Sequence, residues 1–300
     1  MLKGFAITPP IIGRISIDRV IEKNGKRLPE KDDQFTITTQ VQNHDGWVLH
    51  PAHEAQLKCT QGAKLRTIQI MLPFNDPDLN LRAQYIQFDR QTGRPIATSD
   101  GTTCRRQTAS GMETVSCAGR EDCCLHQTDT KPYGRLYVKI GDDQDDLGTF
   151  IFRTTSYNSI RTLAARMRYY AAVSGGLLAS LPLELKLRGK STTQSYHTPI
   201  YYVDLVVRGG MTLCQAIEAA RQIYADRKAS GFDQAALDEA SRLGFGNGSF
   251  EETEEDLPAV EEEFFPDPTD IQAARPSTRP TLQEVRTLTD KLAARVTETG

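Results

Sequence analysis

The alternation of apolar and polar positions over the first two-thirds of the chain predicts strands more often than helices. Residues 13–22 (GRISIDRVIE) set Ile15 and Ile17 against polar neighbours, and Asn24-Gly25, a dipeptide suited to a type I′ turn, follows. Residues 34–41 (QFTITTQV) return as a strand with Phe35, Ile37 and Thr39 on one face. Residues 65–72 and 81–88 flank an Asn-Asp-Pro-Asp turn at 75–78, and 135–140 and 148–154 flank an acidic turn from Asp142 to Asp146. In 181–190, Leu181, Leu183, Leu185 and Leu187 alternate with Glu184, Lys186, Arg188 and Lys190, which predicts a half-buried strand with a mostly basic outer face. Residues 199–207 complete the sheet. Asp, Gly, Pro and Ser in 89–103 read as a loop, and 104–131 reads as a cysteine-rich loop.

Helical spacing appears later. Residues 156–173 place Ile160, Leu163, Ala164, Met167 and Tyr170 or Ala171 on one stripe, with Ser156 or Asn158 as the cap and Gly175-Gly176 as the stop. Thr212 caps a helix over 213–228 with Leu213, Ala216, Ile217, Ala220, Ile223 and Tyr224 inward, and a shorter helix follows Asp233. After Gly244 the pattern fails. Residues 251–263 hold eight acidic side chains and no basic ones, too little apolar area to offset the entropy of ordering, so a disordered linker is expected over 245–280. Leu282, Val285, Leu288, Leu292 and Val296 restore a short helix over 281–298. The fold class predicted is therefore α+β: a β-rich mixed body of residues 1–244 with two or three helices and a cysteine-rich loop (104–131), an acidic linker, and a short C-terminal helix.

Charge changes this picture. Residues 246–300 carry 13 acidic and 5 basic side chains, whereas residues 1–245 carry 31 basic and 26 acidic. A basic body with an acidic tail suits work on nucleic acid. No apolar run is long enough to span a membrane, and the N-terminus lacks a signal-peptide pattern, so a cytoplasmic protein is expected.

Candidate chemistry is sparse. Cys104, Cys117, Cys123, Cys124 and His126 offer thiolate and imidazole ligands for a structural zinc, and buried free thiols are the plainer reading. Arg105, Arg106, Lys186, Arg188 and Lys190 are the candidates for contact with DNA or a protein partner. Phe264 and Phe265 in the acidic tail resemble a short docking motif. The chain has no HExxH, GxSxG or Walker loop, and no catalytic residue is assigned. Asp204 inside an apolar strand calls for a basic partner, with Arg153 or Arg161 the candidates. Two further classes stay in view. One is a single-stranded-DNA-binding or annealing-associated protein, and the other is a metal-dependent hydrolase using His50, His53 and Asp204.

Four ordered blocks resemble the recombination directionality factors that serve large serine integrases. They are GRISIDRVIEKNGKRLPEKDDQFTIT (13–38), Cys104-Arg105-Arg106 leading to KPYGRLYVKI (131–140), LGTFIFRTTSYNSI (147–160) and TPIYYVDLVV (198–207). The resemblance implies an accessory protein of a mobile element, such as a phage. It would bind a serine integrase and switch it towards excision, with DNA contact secondary and no active site of its own. The family pattern places a cysteine directly before Lys131-Pro132, where this chain has Thr130.

Overall fold

The structure is a computed structural model, and it describes residues 9–23, 26–43, 46–60, 63–89, 95–117, 130–141, 148–191, 199–245 and 260, with the backbone alone at 18–32 and 112. Every described residue belongs to one unit, Met1–Phe265. Its elements are β1 (Ile11–Lys23), β2 (Lys26–Asn43), β3 (Gly46–Leu49), α1 (Pro51–Thr60), β4 (Thr67–Met71), α2 (Pro77–Asn80), β5 (Leu81–Phe88), β6 (Pro95–Ser99), β7 (Thr103–Thr108) and β8 (Gly111–Ser116). They continue with β9 (Lys131–Ile140), β10 (Thr149–Thr154), α3 (Tyr157–Val173), a 3-10 turn (Leu178–Ser180), β11 (Leu183–Lys190), β12 (Ile200–Val207), α4 (Leu213–Ala229) and α5 (Gln234–Phe245). The body is a β-rich mixed sheet with helices, as the periodicity predicts. Among the described residues no helix is long and apolar enough to cross a membrane.

The sheet forks at β9. One edge of β9 pairs with β10, which continues to β1 (parallel), β2 and β3. The other edge is divided: Lys131 to Leu136 pair with β5, which leads to β6, β7 and β8, whereas Lys139 and Ile140 pair with β4, which leads to β11 and β12. Register and pleat send Leu136, Val138, Phe150, Phe152, Ile15 and Ile37 to one face of the large sheet. There they pack with Ile68 and Ile70 of β4, the inward leucines of β11, Val203 and Leu205 of β12, and Leu163 and Met167 of α3. Each buried aliphatic side chain contributes about 1.5–3 kcal/mol, so this cluster is the main stabilising term of the body.

β4 closes the core by touching two strands that are not neighbours. Near its start the Phe35 N–H of β2 donates to the Leu65 carbonyl at 2.7 Å, and near its end Ile70 and Met71 pair with β9. Lys64 and Arg66 add side-chain bonds to the Asp33 carboxylate of β2, which hold its pKa down at about 2. Beyond Phe35 and Leu65 the edges of β2 and β4 separate, and α1 fills the opening. The buried Gln56 accepts the Gln69 N–H of β4 at 2.9 Å, and His53 Nδ1 accepts the Ile37 N–H of β2 at 3.4 Å. An exposed strand edge is thus terminated by side chains instead of a further strand.

The helices follow their caps. Ser156 accepts the Ser159 N–H to start α3, and Gly175 and Gly176 at φ +69° and +83° end it. Ser159 in turn accepts the Val203 N–H at 3.1 Å, so α3 lies along the outer edge of β12. Thr212 and Gln215 form a capping box on α4, of which Ala216 and Ala220 are buried and Tyr224 is exposed, against its predicted inward position. α5 is tied to the loop before β5: Gln234 donates to the Pro73 carbonyl at 3.1 Å, and Asp238 accepts the Asn75 N–H at 3.2 Å.

Two predicted loops are sheet instead. Residues 95–99 form β6, and 103–116 form the β7–β8 hairpin, because each strand completes the hydrogen bonds of its neighbour; among the described residues Ala97 and Cys104 are the apolar side chains fully buried there, beside the buried Thr98 and Ser99. The 75–78 turn runs into the single helical turn α2, capped by Asp76. β1 and β2 pair as far as Lys23 and Lys26, flanking the predicted Asn24-Gly25 turn, which itself lies outside the described residues. So do Asp142 to Asp146, the 245–280 linker apart from Phe245 and Val260, and the 281–298 helix.

Two outcomes test the α1 closure. Replacing Gln56 by Met keeps the volume but leaves the Gln69 N–H without its acceptor, and chemical denaturation should register a loss of about 1–3 kcal/mol. Burial holds the His53 pKa below its ordinary value, opposed by the nearby Glu54 charge, so the folded state binds this proton less readily than the unfolded chain. Stability from His53 is therefore complete above the unfolded pKa of about 6.5 and declines as pH falls below it. Thermal melts of wild type should fall more steeply between about pH 7 and pH 5 than those of His53→Gln, whose amide oxygen accepts the same bond without titrating; equal slopes would remove His53 from this role.

Candidate partner-binding surfaces

The outer face of β11 carries the basic side chains that the alternation predicts, and β12 adds a carboxylate to it. Lys186 stands opposite Asp204 in register, and Arg188 stands opposite Tyr202. Asp204 is 2% exposed. Its Oδ2 accepts from Arg188 Nε at 2.6 Å, and its Oδ1 accepts from Arg166 Nε of α3 at 3.2 Å and from the Leu205 N–H at 3.0 Å. The partners of Asp204 are therefore Arg166 and Arg188, not Arg153 or Arg161. Position along the helix decides this, since Arg166 lies on the turn of α3 that passes Asp204. Both guanidinium groups keep about half of their side-chain surface in solvent, at 50% and 44%. The carboxylate fixes two arginines while their remaining N–H groups face outward, a fork suited to carboxylate or phosphate. Lys190 donates to Asn158 Oδ1 at 2.9 Å and lies 5.8 Å from the Tyr202 ring.

The β7–β8 hairpin carries the other predicted basic pair. Arg105 is exposed, and Arg106 Nε donates to Glu113 Oε2 across the hairpin at 2.9 Å. The fork places this pair on the β5 branch and Lys186, Arg188 and Lys190 on the β4 branch, so the five residues do not form one continuous strand surface. At the base of the hairpin the buried Cys104 packs on Ala97, with Val115 and Cys117 against them, which brings two of the five candidate zinc ligands into one cluster. Cys123, Cys124 and His126 lie outside the described residues, as do Phe264 and Phe265.

The hydrolase constellation does not assemble. His50 Nδ1 accepts the Ala52 N–H at 3.1 Å at the start of α1, His53 serves β2, and Asp204 is held by its two arginines. Among the described residues no three His, Cys, Asp or Glu side chains group as metal ligands.

A further basic surface escaped the reading by alternation. Arg82 of β5, Arg135 of β9 and Arg153 of β10 stand directly opposite one another on three adjacent strands, on the face away from the main core. They are 4%, 4% and 8% exposed. The Arg82 guanidinium lies 5.6 Å from the Tyr137 ring and that of Arg135 lies 5.8 Å from the Tyr133 ring. Burial pushes the Arg82 pKa down to about 9, with Tyr137 opposing that shift and the Arg135 charge adding to it. Each arginine stands beside other polar residues in LRAQYIQF, GRLYVKI and TFIFRT, so only the register of the three strands brings them into one row.

The Gp3-like family, described as recombination directionality factor-like, matches this chain over residues 12–208. No curated protein matches the chain, and no solved structure does. The match covers well over half of the chain, which therefore belongs to this recombination directionality factor-like family.

Proposed function

We propose, from that family membership, that the chain binds a serine integrase and switches it from integration to excision, while the integrase alone cuts and rejoins DNA. One observation supports this above the others. The match begins in β1 and ends just past β12, so the family's shared character lies in the forked sheet and not in α4, α5 or the acidic tail. The surface we assign to partner contact within that span is the outer face of β11, where Lys186, Arg188 and Lys190 project, with Arg105 and Arg106 of the β7–β8 hairpin as a second contact for partner or DNA. Rim charges of this kind steer association and set specificity more than they add affinity.

A plasmid recombination assay with the serine integrase of the same mobile element tests the reading. Adding the protein should turn an integrase that does not excise into one that does, and no stimulation would refute the proposal. Lys186→Gln together with Lys190→Gln should lower that stimulation by about tenfold or more, equivalent to 1.4 kcal/mol of binding, while the protein still melts as a folded body. Arg188 is left intact in this variant because it holds Asp204.

We further propose a structural zinc at the hairpin base, held by Cys104 and Cys117 together with ligands from Cys123, Cys124 and His126. The adjacency of Cys104 and Cys117 supports it, and Thr130 stands where the family pattern would supply another thiolate. Purified protein should contain about one zinc per chain, and chelation should lower its melting temperature. Metal-free protein with an unaltered melting temperature would overturn the assignment.

A further inference from the structure

The outer face of the large sheet is buried around its arginine row, and one residue far along the chain packs on it. Val260 is 1% exposed and packs with Ile86 and Phe88 of β5 and Tyr133 of β9. The pleat puts these three on the same face as the arginine row, because Ile86 and Arg82 are four residues apart on β5 and Tyr133 and Arg135 two apart on β9. Phe88 and Tyr133 meet edge to face at 6.2 Å and form the floor on which Val260 rests.

Val260 is an apolar position in a strongly acidic run. Residues 251–263 hold eight carboxylates and no basic side chain. The adjoining sheet face presents Arg82, Arg135 and Arg153 in register, all nearly withdrawn from water. Three guanidinium groups side by side repel one another and are costly to bury unless negative charge is brought close.

We infer that the arginine- and tyrosine-lined face of β5, β9 and β10 is a docking surface whose occupant is this chain's own acidic segment, residues 251–263. Val260 is the apolar anchor, seated on Ile86, Phe88 and Tyr133. Docked by that anchor, the flanking carboxylates would bring negative charge to the arginine row. The contact combines apolar burial, which salt leaves in place, with charge pairing, which salt weakens most while the segment is open and the arginines are wet. A polyanion such as DNA, or an acidic segment of another protein, has the same chemistry as the occupant and reaches this face only by displacing it.

The test uses the full-length chain with Val260→Cys and alkylation by iodoacetamide, followed peptide by peptide by mass spectrometry. Cys59 and Cys214 are exposed and serve as reference thiols, and the buried Cys104 reports in the same spectrum that the body stays folded. The introduced thiol should react at least about tenfold more slowly than the references, since it reacts only when the segment opens locally. Adding Glu261→Gln, Glu262→Gln and Glu263→Gln, or raising NaCl to about 1 M, should speed its reaction several-fold, because the screening length then falls to about 3 Å. A thiol at 260 that reacts as fast as Cys59 overturns the docking. A protected thiol whose rate ignores both salt and the glutamine substitutions overturns the pairing with the arginine row.

Discussion

The division of one strand edge controls this protein. β9 gives its first six residues to β5 and its last two to β4, so a single strand belongs to two branches that leave in different directions. Had β5 kept the whole edge, β4, β11 and β12 would keep only the contacts of residues 64–66 with β2 as an anchor in the large sheet. The inward side chains of β9, Leu136, Val138 and Ile140, would then face water in place of the leucines of β11. The fork turns one sheet into two layers with a core between them. It also creates a gap, because β4 meets β9 at one end and β2 at the other. α1 is needed only because of that gap, and its Gln56 and His53 act as substitutes for the backbone of a missing strand.

The same division separates the charged surfaces. Odd-numbered residues of β9 point away from the core, and there Tyr133, Arg135 and Tyr137 meet Arg82 on one side and Arg153 on the other. Like charges on directly opposed positions cost roughly 0.2–1 kcal/mol for each pair before any burial penalty, so the row lowers the stability of the isolated sheet. The β11–β12 surface solves its own repulsion differently. Asp204 sits at the centre of its basic group, and its arginines stay half in solvent. One surface is thus arranged around a central carboxylate and stays in solvent, while the other is buried and is the seat we assign to a distant acidic segment.

Much of this was legible in the sequence, because burial on one face leaves a period of two and burial of a helix stripe leaves a period near four. The strands predicted at 13–22, 81–88, 181–190 and 199–207 and the helices predicted at 156–173 and 213–228 stand within a few residues of Ile11–Lys23, Leu81–Phe88, Leu183–Lys190, Ile200–Val207, Tyr157–Val173 and Leu213–Ala229. β6 to β8 left no such trace: among their described residues the buried apolar side chains are Ala97 and Cys104, with the polar Thr98 and Ser99 buried beside them, and hydrogen bonding to neighbours, which has no side-chain signature, holds them. The cysteines also drew attention as metal ligands, when one property of Cys104 visible in the structure is that of a small apolar core residue. The α1 closure was hidden for another reason. Gln56 and His53 work through contacts 13 and 16 residues away, which no local pattern encodes. Arg82, Arg135 and Arg153 look like ordinary polar positions one strand at a time, and become a row only once the register of three strands is known.

That row lies inside the family-matched span of 12–208, whereas Val260 lies well beyond it. Surface and occupant therefore come from different parts of the chain, and their union is a matter of tethering. An occupant joined to its site by a short tether acts at an effective concentration on the order of millimolar. Against a competitor, its influence is the ratio of that concentration to its own dissociation constant. A segment with an intrinsic constant of about 1 mM would be docked only half of the time and would weaken a competitor about twofold, whereas one of about 10 μM would weaken it about a hundredfold. Non-specific DNA binding, with constants typically of about 10⁻⁴ to 10⁻⁶ M, is excluded in the second case and barely altered in the first. The tenfold protection expected at position 260 corresponds to a constant of about 0.1 mM and a competitor weakened about tenfold, which favours partners that bring several anionic groups at once over those that bring one.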